Sequence, residues 1–292
     1  MPTNTLFFKE GLCSGDLQYG INRLTFWDGQ VYYLYIPETI SVLKNNPRLL
    51  VSIHGFSGRK KETKGREIIR KSAERWAGLA ERNGWVVLAP QFDGKRFNRD
   101  WQRLSLFGLR TDVRLHDLIR ETGRLIPPLR TDRIFYFGFS AGGQFVHRYL
   151  AFHPDRVERA VSAGSGWYLW PDKKLPYPVG CDPRSFREGG RPNFRALCEK
   201  PLLVIAGEED AMQGAFRMRY KQYDLQMTQG EGRRKRAENW YNAVKTFSLK
   251  HGVPFELSFR TLPHTKHRIT KKLVEIAGDY LSVPSLSSQK ER

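Results

Sequence analysis

Apolar positions along the chain fall into short runs separated by longer segments of helical period, and that rhythm predicts the elements. Residues 21–27 and 30–36 are rich in β-branched and aromatic side chains, and Asp28-Gly29 between them is a pair favoured in two-residue hairpin turns. Residues 49–53 form a continuous apolar run, as expected of a strand buried on both faces. A helix is expected over about 67–82, with Ile69, Trp76 and Leu79 on one face, followed by a strand at 85–89. The next helix starts near Asp112 and is stopped by Pro127, which cannot continue it. Strand 134–137, helix 142–152 and strand 159–163 follow, with Pro154 closing the helix.

Residues 166–200 are rich in Pro, Gly and Trp and lack a period, which predicts a loop-rich insertion over one face. Strands at 202–206 and 255–261 flank helical patterns broken at Gly230-Glu231-Gly232, a second insertion spanning about 211–250. An amphipathic helix over about 269–281 ends the pattern. Strands alternating with helices predict the α/β class: a mostly parallel central sheet with helices on both faces and the N-terminal antiparallel hairpin on one edge. The expectation is one domain over residues 1–292. Ligands of such sheets bind beyond the carboxyl ends of the strands, which says where chemistry is to be sought.

One motif stands at such an end. Gly138-Phe139-Ser140-Ala141-Gly142 fits G-x-S-x-G and lies directly between a predicted strand and a predicted helix. A serine at the apex of a tight strand-to-helix turn needs neighbours without bulk, and the helix amino end aims free N–H groups at a developing oxyanion. A serine hydroxyl attacks only when a base takes its proton. Of seven histidines, His264 and His267 follow the last strand, where a loop can carry an imidazole over the sheet edge. His267 is the expected base, because its distance from the strand lets the loop turn back, and His264 is the alternative. The base needs a carboxylate to fix its tautomer, and Asp210 in Gly207-Glu208-Glu209-Asp210 lies far enough past its strand to supply one. The order Ser140, Asp210, His267 is that of the α/β-hydrolase arrangement. Oxyanion donors are expected from the amides of Ala141 and of Phe56 in His54-Gly55-Phe56, with His54 bracing that loop or lining the pocket. Trp167, Tyr168 and Trp170 are candidate pocket walls.

Charge changes the picture of the partner. Lys and Arg number 49 against 30 Asp and Glu, a net charge of +19. Arg59, Lys60, Lys61, Lys95, Arg96, Arg99, Lys266 and Arg268 fall in loops at the expected mouth, which points to an anionic substrate or surface. The basic residues are otherwise interleaved with acids, as on a solvated face, so no specific nucleic acid is expected. The three cysteines, Cys13, Cys181 and Cys198, form no metal motif, and Cys181 and Cys198 flank one loop-rich segment where they could pair. No segment has the ~20 apolar residues of a membrane span, and residues 1–20 lack a basic segment followed by an apolar run; a cytoplasmic location is the expectation.

The chain resembles the α/β-hydrolase superfamily, and more narrowly esterases similar to polyhydroxybutyrate depolymerases and feruloyl esterases. The residues that carry the likeness are Ile53-His54-Gly55, Arg110-Thr111-Asp112, Phe139-Ser140-Ala141-Gly142-Gly143, His153-Pro154-Asp155-Arg156 and Gly164. The resemblance implies a cofactor-free and metal-free acyl-enzyme mechanism on an ester, small or oligomeric. Thioester and peptide bonds would use the same side chains. The other class of reading is a non-catalytic module that holds polyanions through Gly232-Arg233-Arg234-Lys235-Arg236.

Overall fold

The computed structural model describes residues 17–41, 47–56, 62–92, 97, 100–104, 110–127, 129–186, 190–211 and 229–283. Eight strands form one sheet in the order β1-β2-β4-β3-β5-β6-β7-β8. They are β1 (Gly20–Thr25), β2 (Val31–Ile36), β3 (Arg48–Ile53), β4 (Trp85–Pro90), β5 (Arg130–Phe139), β6 (Val157–Ala163), β7 (Leu202–Gly207) and β8 (Leu257–Leu262). β2 pairs antiparallel with β1 and β4, and the strands β3 to β8 run parallel to one another. The mixed sheet with a leading antiparallel hairpin is the α/β-hydrolase fold that the sequence pattern predicts.

The inner strands read as unbroken apolar runs because both faces are covered. Leu49, Val51, Leu88 and Tyr136 pack on one face with Leu115, Phe145 and Trp240. Leu50, Val87, Phe135 and Phe137 pack on the other with Ile69, Trp76 and Leu273. The first face is covered by α3 (Thr111–Leu125), α4 (Ala141–Phe152) and α6 (Gly232–His251), with short α5 (Phe194–Cys198) beside α6. The second lies under α1 (Glu62–Glu74), α2 (Ala77–Asn83) and α7 (Lys271–Ser282). Burial of these side chains at ~25 cal/mol per Å² is the main force holding the layers together.

Three expectations are corrected. The hairpin closes through a three-residue loop, Trp27-Asp28-Gly29, since Phe26 N–H donates to Gln30 O at 2.8 Å and Gly29 N–H to Phe26 O at 2.8 Å. Gly29 takes φ 84°, the left-handed conformation that closes such loops, so Asp28-Gly29 is not a two-residue turn. The helix expected over 67–82 breaks into α1 and α2, because Trp76 tips into the core, where its indole N–H donates to Ser52 Oγ at 3.0 Å and its ring meets Phe137 edge-on. Cys181 and Cys198 are both free thiols, and Cys13 lies outside the described residues. β5 begins four residues and α1 five residues earlier than predicted, and the remaining strand and helix ends that were predicted fall within two residues of expectation.

The loop-rich segment 166–200 is tied down at named points. His147 Nε2 accepts from Leu169 N–H at 3.1 Å, Trp240 donates to Leu169 O at 2.6 Å, and Arg148 donates to Pro178 O at 3.3 Å. Among the described residues no helix is long and apolar enough to cross a membrane. A groove of about 690 Å³ opens between the hairpin and α3, lined by Trp27, Arg120 and Arg124 among others; it contains none of Ser140, Asp210 or His267.

Candidate active site

The sharpest strain among the sequence-predicted residues is at Ser140, where β5 turns into α4. Its backbone stands at φ 58°, ψ −113°, a region that costs a side-chain-bearing residue ~1–3 kcal/mol. The small neighbours are required by contact. A Cβ on Gly138 would lie 2.1 Å from Gly142 O, and one on Gly142 would lie 2.2 Å from Ile53 O. Ser140 N–H donates to Ala163 O at 2.8 Å, which anchors the turn to β6 and removes that amide from any oxyanion role. Ala141 opens α4, where first-turn amides have no helical acceptor, so its N–H is available at the elbow.

The loop after β3 lies against this turn. A Cβ on Gly55 would sit 3.5 Å from Ser140 Cβ, so the β3 loop passes the serine with room for one more carbon between them. His54 holds the loop in place. Its Nε2 accepts from Phe92 N–H at 3.1 Å, so the proton is on Nδ1, which faces Gly55 O at 2.6 Å. The ring is buried beside Trp101, so His54 is a brace between the β3 and β4 loops rather than a pocket wall. Phe56 follows at the open surface with its ring half exposed.

The other two predicted side chains come from the ends of β7 and β8, and the second of them, His267, reaches the serine. His267 Nε2 lies 2.9 Å from Ser140 Oγ, and His267 Nδ1 lies 2.7 Å from Asp210 Oδ2. A carboxylate accepts only, so Nδ1 carries the proton and Nε2 offers its lone pair to the hydroxyl. The imidazole stacks on Phe139 with centroids 4.8 Å apart. Gly164, at φ 57°, keeps the space beneath it open: a Cβ there would approach both Phe139 and His267 Cε1. Asp210 is buried in a turn where its N–H donates to Gly207 O. His264 instead points outward, 3.6 Å from Glu209, and does not meet the serine.

Of the predicted wall residues, Tyr168 is fully buried between His147 and Trp240 and belongs to the core, because its ring completes the packing of segment 166–200 on α4 and α6. Trp167 and Trp170 are half-buried, and Trp167 lies beneath Arg236, whose guanidinium is 3.7 Å from the ring centre. Lys266 and Arg268 flank His267 in sequence. Arg59, Lys60, Lys61, Lys95, Arg96 and Arg99 lie outside the described residues.

Sequence reasoning missed two arginines. Arg233 Nη1 donates to Asp210 Oδ1 at 2.8 Å. Arg236 is buried and donates to Gly166 O at 3.1 Å and Gly230 O at 2.7 Å. Both belong to the basic run expected to face a polyanion, and the structure turns them inward. The signal available was Arg233 in the first helical turn, with Arg236 one turn on, where a cation near the amino end opposes the helix dipole and needs a specific anion or carbonyl to be stable.

A second charged cluster joins the start of α3 to the end of α4. Arg110 bonds both oxygens of Asp112, and His153 Nε2 lies 2.8 Å from Asp112 Oδ2. Burial opposes the Asp112 charge, but the Arg110 and His153 bonds outweigh it and hold the carboxyl well below its ordinary range. Beside it, burial and the His153 charge lower the His116 imidazole to about 4.

A profile of the α/β-hydrolase fold family matches residues 48–246, and the chain belongs to that family. Among solved structures it is similar to poly(aspartic acid) hydrolase-1 from Sphingomonas sp. KT-1, with TM-score 0.71 and 23% identity over 91% of this chain and 99% of that one. It is also similar to LpqC, a poly(3-hydroxybutyrate) depolymerase from Bordetella parapertussis, with TM-score 0.70 and 19% identity over 94% of both chains. An S-formylglutathione hydrolase from Agrobacterium tumefaciens matches with TM-score 0.55 and 14% identity over 89% of this chain and 92% of that one. No curated relative matches the sequence. The resemblance expected from the motifs, to the superfamily and to polyhydroxybutyrate depolymerases, is met.

Proposed function

We propose that the protein is a serine hydrolase that cleaves carboxylic esters through an acyl-enzyme. The observation that carries this reading is the continuous chain of contacts from Asp210 Oδ2 through His267 to Ser140 Oγ, at 2.7 and 2.9 Å, ending on a hydroxyl held at a strained turn. In the first half-reaction Ser140 Oγ attacks the acyl carbon while His267 Nε2 takes its proton. The oxyanion is received by the Ala141 and Phe56 amides, and the imidazolium is stabilised by Asp210. His267 then protonates the leaving alcohol, and water activated by the same imidazole hydrolyses the acyl-enzyme. Every group required is a side chain or amide of this chain.

The net charge of +19, with Lys266 and Arg268 beside the base, favours an anionic substrate. The same charge, with the likeness to a poly(aspartic acid) hydrolase, supports a second reading in which the scissile bond is an amide within an acidic polymer. One panel separates them: p-nitrophenyl esters, feruloyl esters, soluble polyester oligomers and oligo-aspartate, at low and high salt, with Ser140→Ala as the blank. Ester turnover absent from the blank, with kcat/KM on anionic esters falling as salt rises, is the expected result. Preferential cleavage of oligo-aspartate moves the assignment to the amide, and no turnover of any acyl compound by the wild type overturns both.

A further inference from the structure

The amino end of α6 carries Arg233-Arg234-Lys235-Arg236, four cations where the helix dipole is least hospitable to them. Arg233 and Arg236, three residues apart, share one face and both point into the protein. Arg233 is fixed at both levels of its structure: its N–H donates to Asp210 O at 3.3 Å and its guanidinium to Asp210 Oδ1 at 2.8 Å. Only 15% of its side chain and 2% of that of Asp210 remain exposed, so the pair works in a medium of low dielectric. Arg236, one turn on, ties the same helix end to Gly166 O and Gly230 O and stacks on Trp167, so α6 cannot slide relative to the loop after β6.

The two oxygens of Asp210 are thereby divided, Oδ1 to Arg233 and Oδ2 to His267. A carboxylate held by one donor can rotate about its last torsion; held by two on opposite oxygens it has a single plane. A cation on Oδ1 also takes up part of the negative charge that Asp210 presents to the imidazole, so removing the cation leaves more of that charge facing His267. We infer that Arg233 is a positioning residue, which through Asp210 sets both the orientation of the His267 imidazole and the share of the carboxylate charge that faces it. This rests on the serine-hydrolase reading above.

The charged and titratable groups around His267 come from three places. They are Glu209 and Asp210 on the loop after β7, Arg233 on α6, and His264, Lys266 and Arg268 on its own loop. Of these, Arg233 is the cation bonded to the carboxylate that the imidazole itself contacts.

The test compares the pH profile of kcat/KM for wild type, Arg233→Met and Arg233→Lys on an ester the wild type turns over, with the melting transition of each recorded. For Arg233→Met the acid limb should move up by about one pH unit and kcat on the alkaline plateau should fall about tenfold. Arg233→Lys, which keeps the cation, should return the limb most of the way to its wild-type position. If the Met variant does not fold, Arg233→Gln replaces it and should show the same upward limb. A folded variant without the cation whose acid limb is unmoved overturns the inference, whatever its kcat. Wild type that hydrolyses no ester fails the serine-hydrolase reading instead, so the two failures are distinct.

Discussion

Among the described residues two histidine–aspartate pairs are built alike and placed differently. Asp210 accepts from His267 at 2.7 Å and from Arg233 at 2.8 Å; Asp112 contacts His153 at 2.8 Å and is bridged by Arg110. Both carboxylates are buried. The difference lies in what the far side of each imidazole meets. His267 turns its second nitrogen to a hydroxyl at a strained turn on the carboxyl edge of the sheet, whereas His153 lies against the rings of His116 and Tyr149 between two helices. A His–Asp pair orients an imidazole in either place, and the one at the elbow also has a hydroxyl set against its second nitrogen.

Exchanging each carboxylate for its amide sharpens that contrast most. Asp210→Asn, which leaves the base without a partner that fixes its tautomer, should lower kcat by about 10⁴-fold, and because it also strands the buried Arg233 it should cost about 2–4 kcal/mol in unfolding free energy. Asp112→Asn should match it in stability and differ in activity. It strands Arg110 and His153 around a neutral group and should cost about 2–4 kcal/mol in chemical denaturation, the lower end reflecting the partial exposure of Arg110. Its kcat per folded molecule should stay within about twofold of wild type. If Asp112→Asn lost activity without losing stability, the division of roles would be broken.

A smaller effect lies in the pH dependence of stability. The His116 imidazole is lowered to about 4 in the fold and protonates near its ordinary 6.5 once unfolded. The unfolded chain therefore binds the proton first, and stability falls as pH drops from about 6.5 towards 4. His147, also lowered by burial, acts in the same direction, and Asp112 adds its loss only below its ordinary 3.8. The His116 contribution should amount to about 1 kcal/mol between pH 7 and 5.5. His116→Asn should flatten the denaturation free energy over that interval by this amount, and an unchanged slope would show that His116 is not held neutral.

The degree to which these features were legible in the sequence follows from how local their causes are. The elbow was readable because its demands are steric and contiguous: Gly138 and Gly142 leave no room for a Cβ. The order of strands and helices was readable from apolar runs buried on two faces. His267 and Asp210 were readable only as positions past strand ends, which is where parallel sheets gather loops. Trp76 broke the expected long helix because a buried indole found Ser52, a partner 24 residues away that helical periodicity does not encode. Tyr168 passed for a pocket wall because an aromatic in a loop-rich insertion looks alike whether it faces a ligand or Trp240. Arg233 and Arg236 were hidden in a basic run that reads as a polyanion-holding surface, and Asp112 and His153 lie 41 residues apart in the chain.

Labelling with a fluorophosphonate, mapped by peptide mass spectrometry in wild type, His267→Ala and Asp112→Asn, tests the central claim most directly. Ser140 should be the labelled residue in wild type, with the rate falling by at least about a thousandfold in His267→Ala and unchanged in Asp112→Asn. A label on another residue, or a Ser140 adduct that forms as fast without His267, would contradict the account.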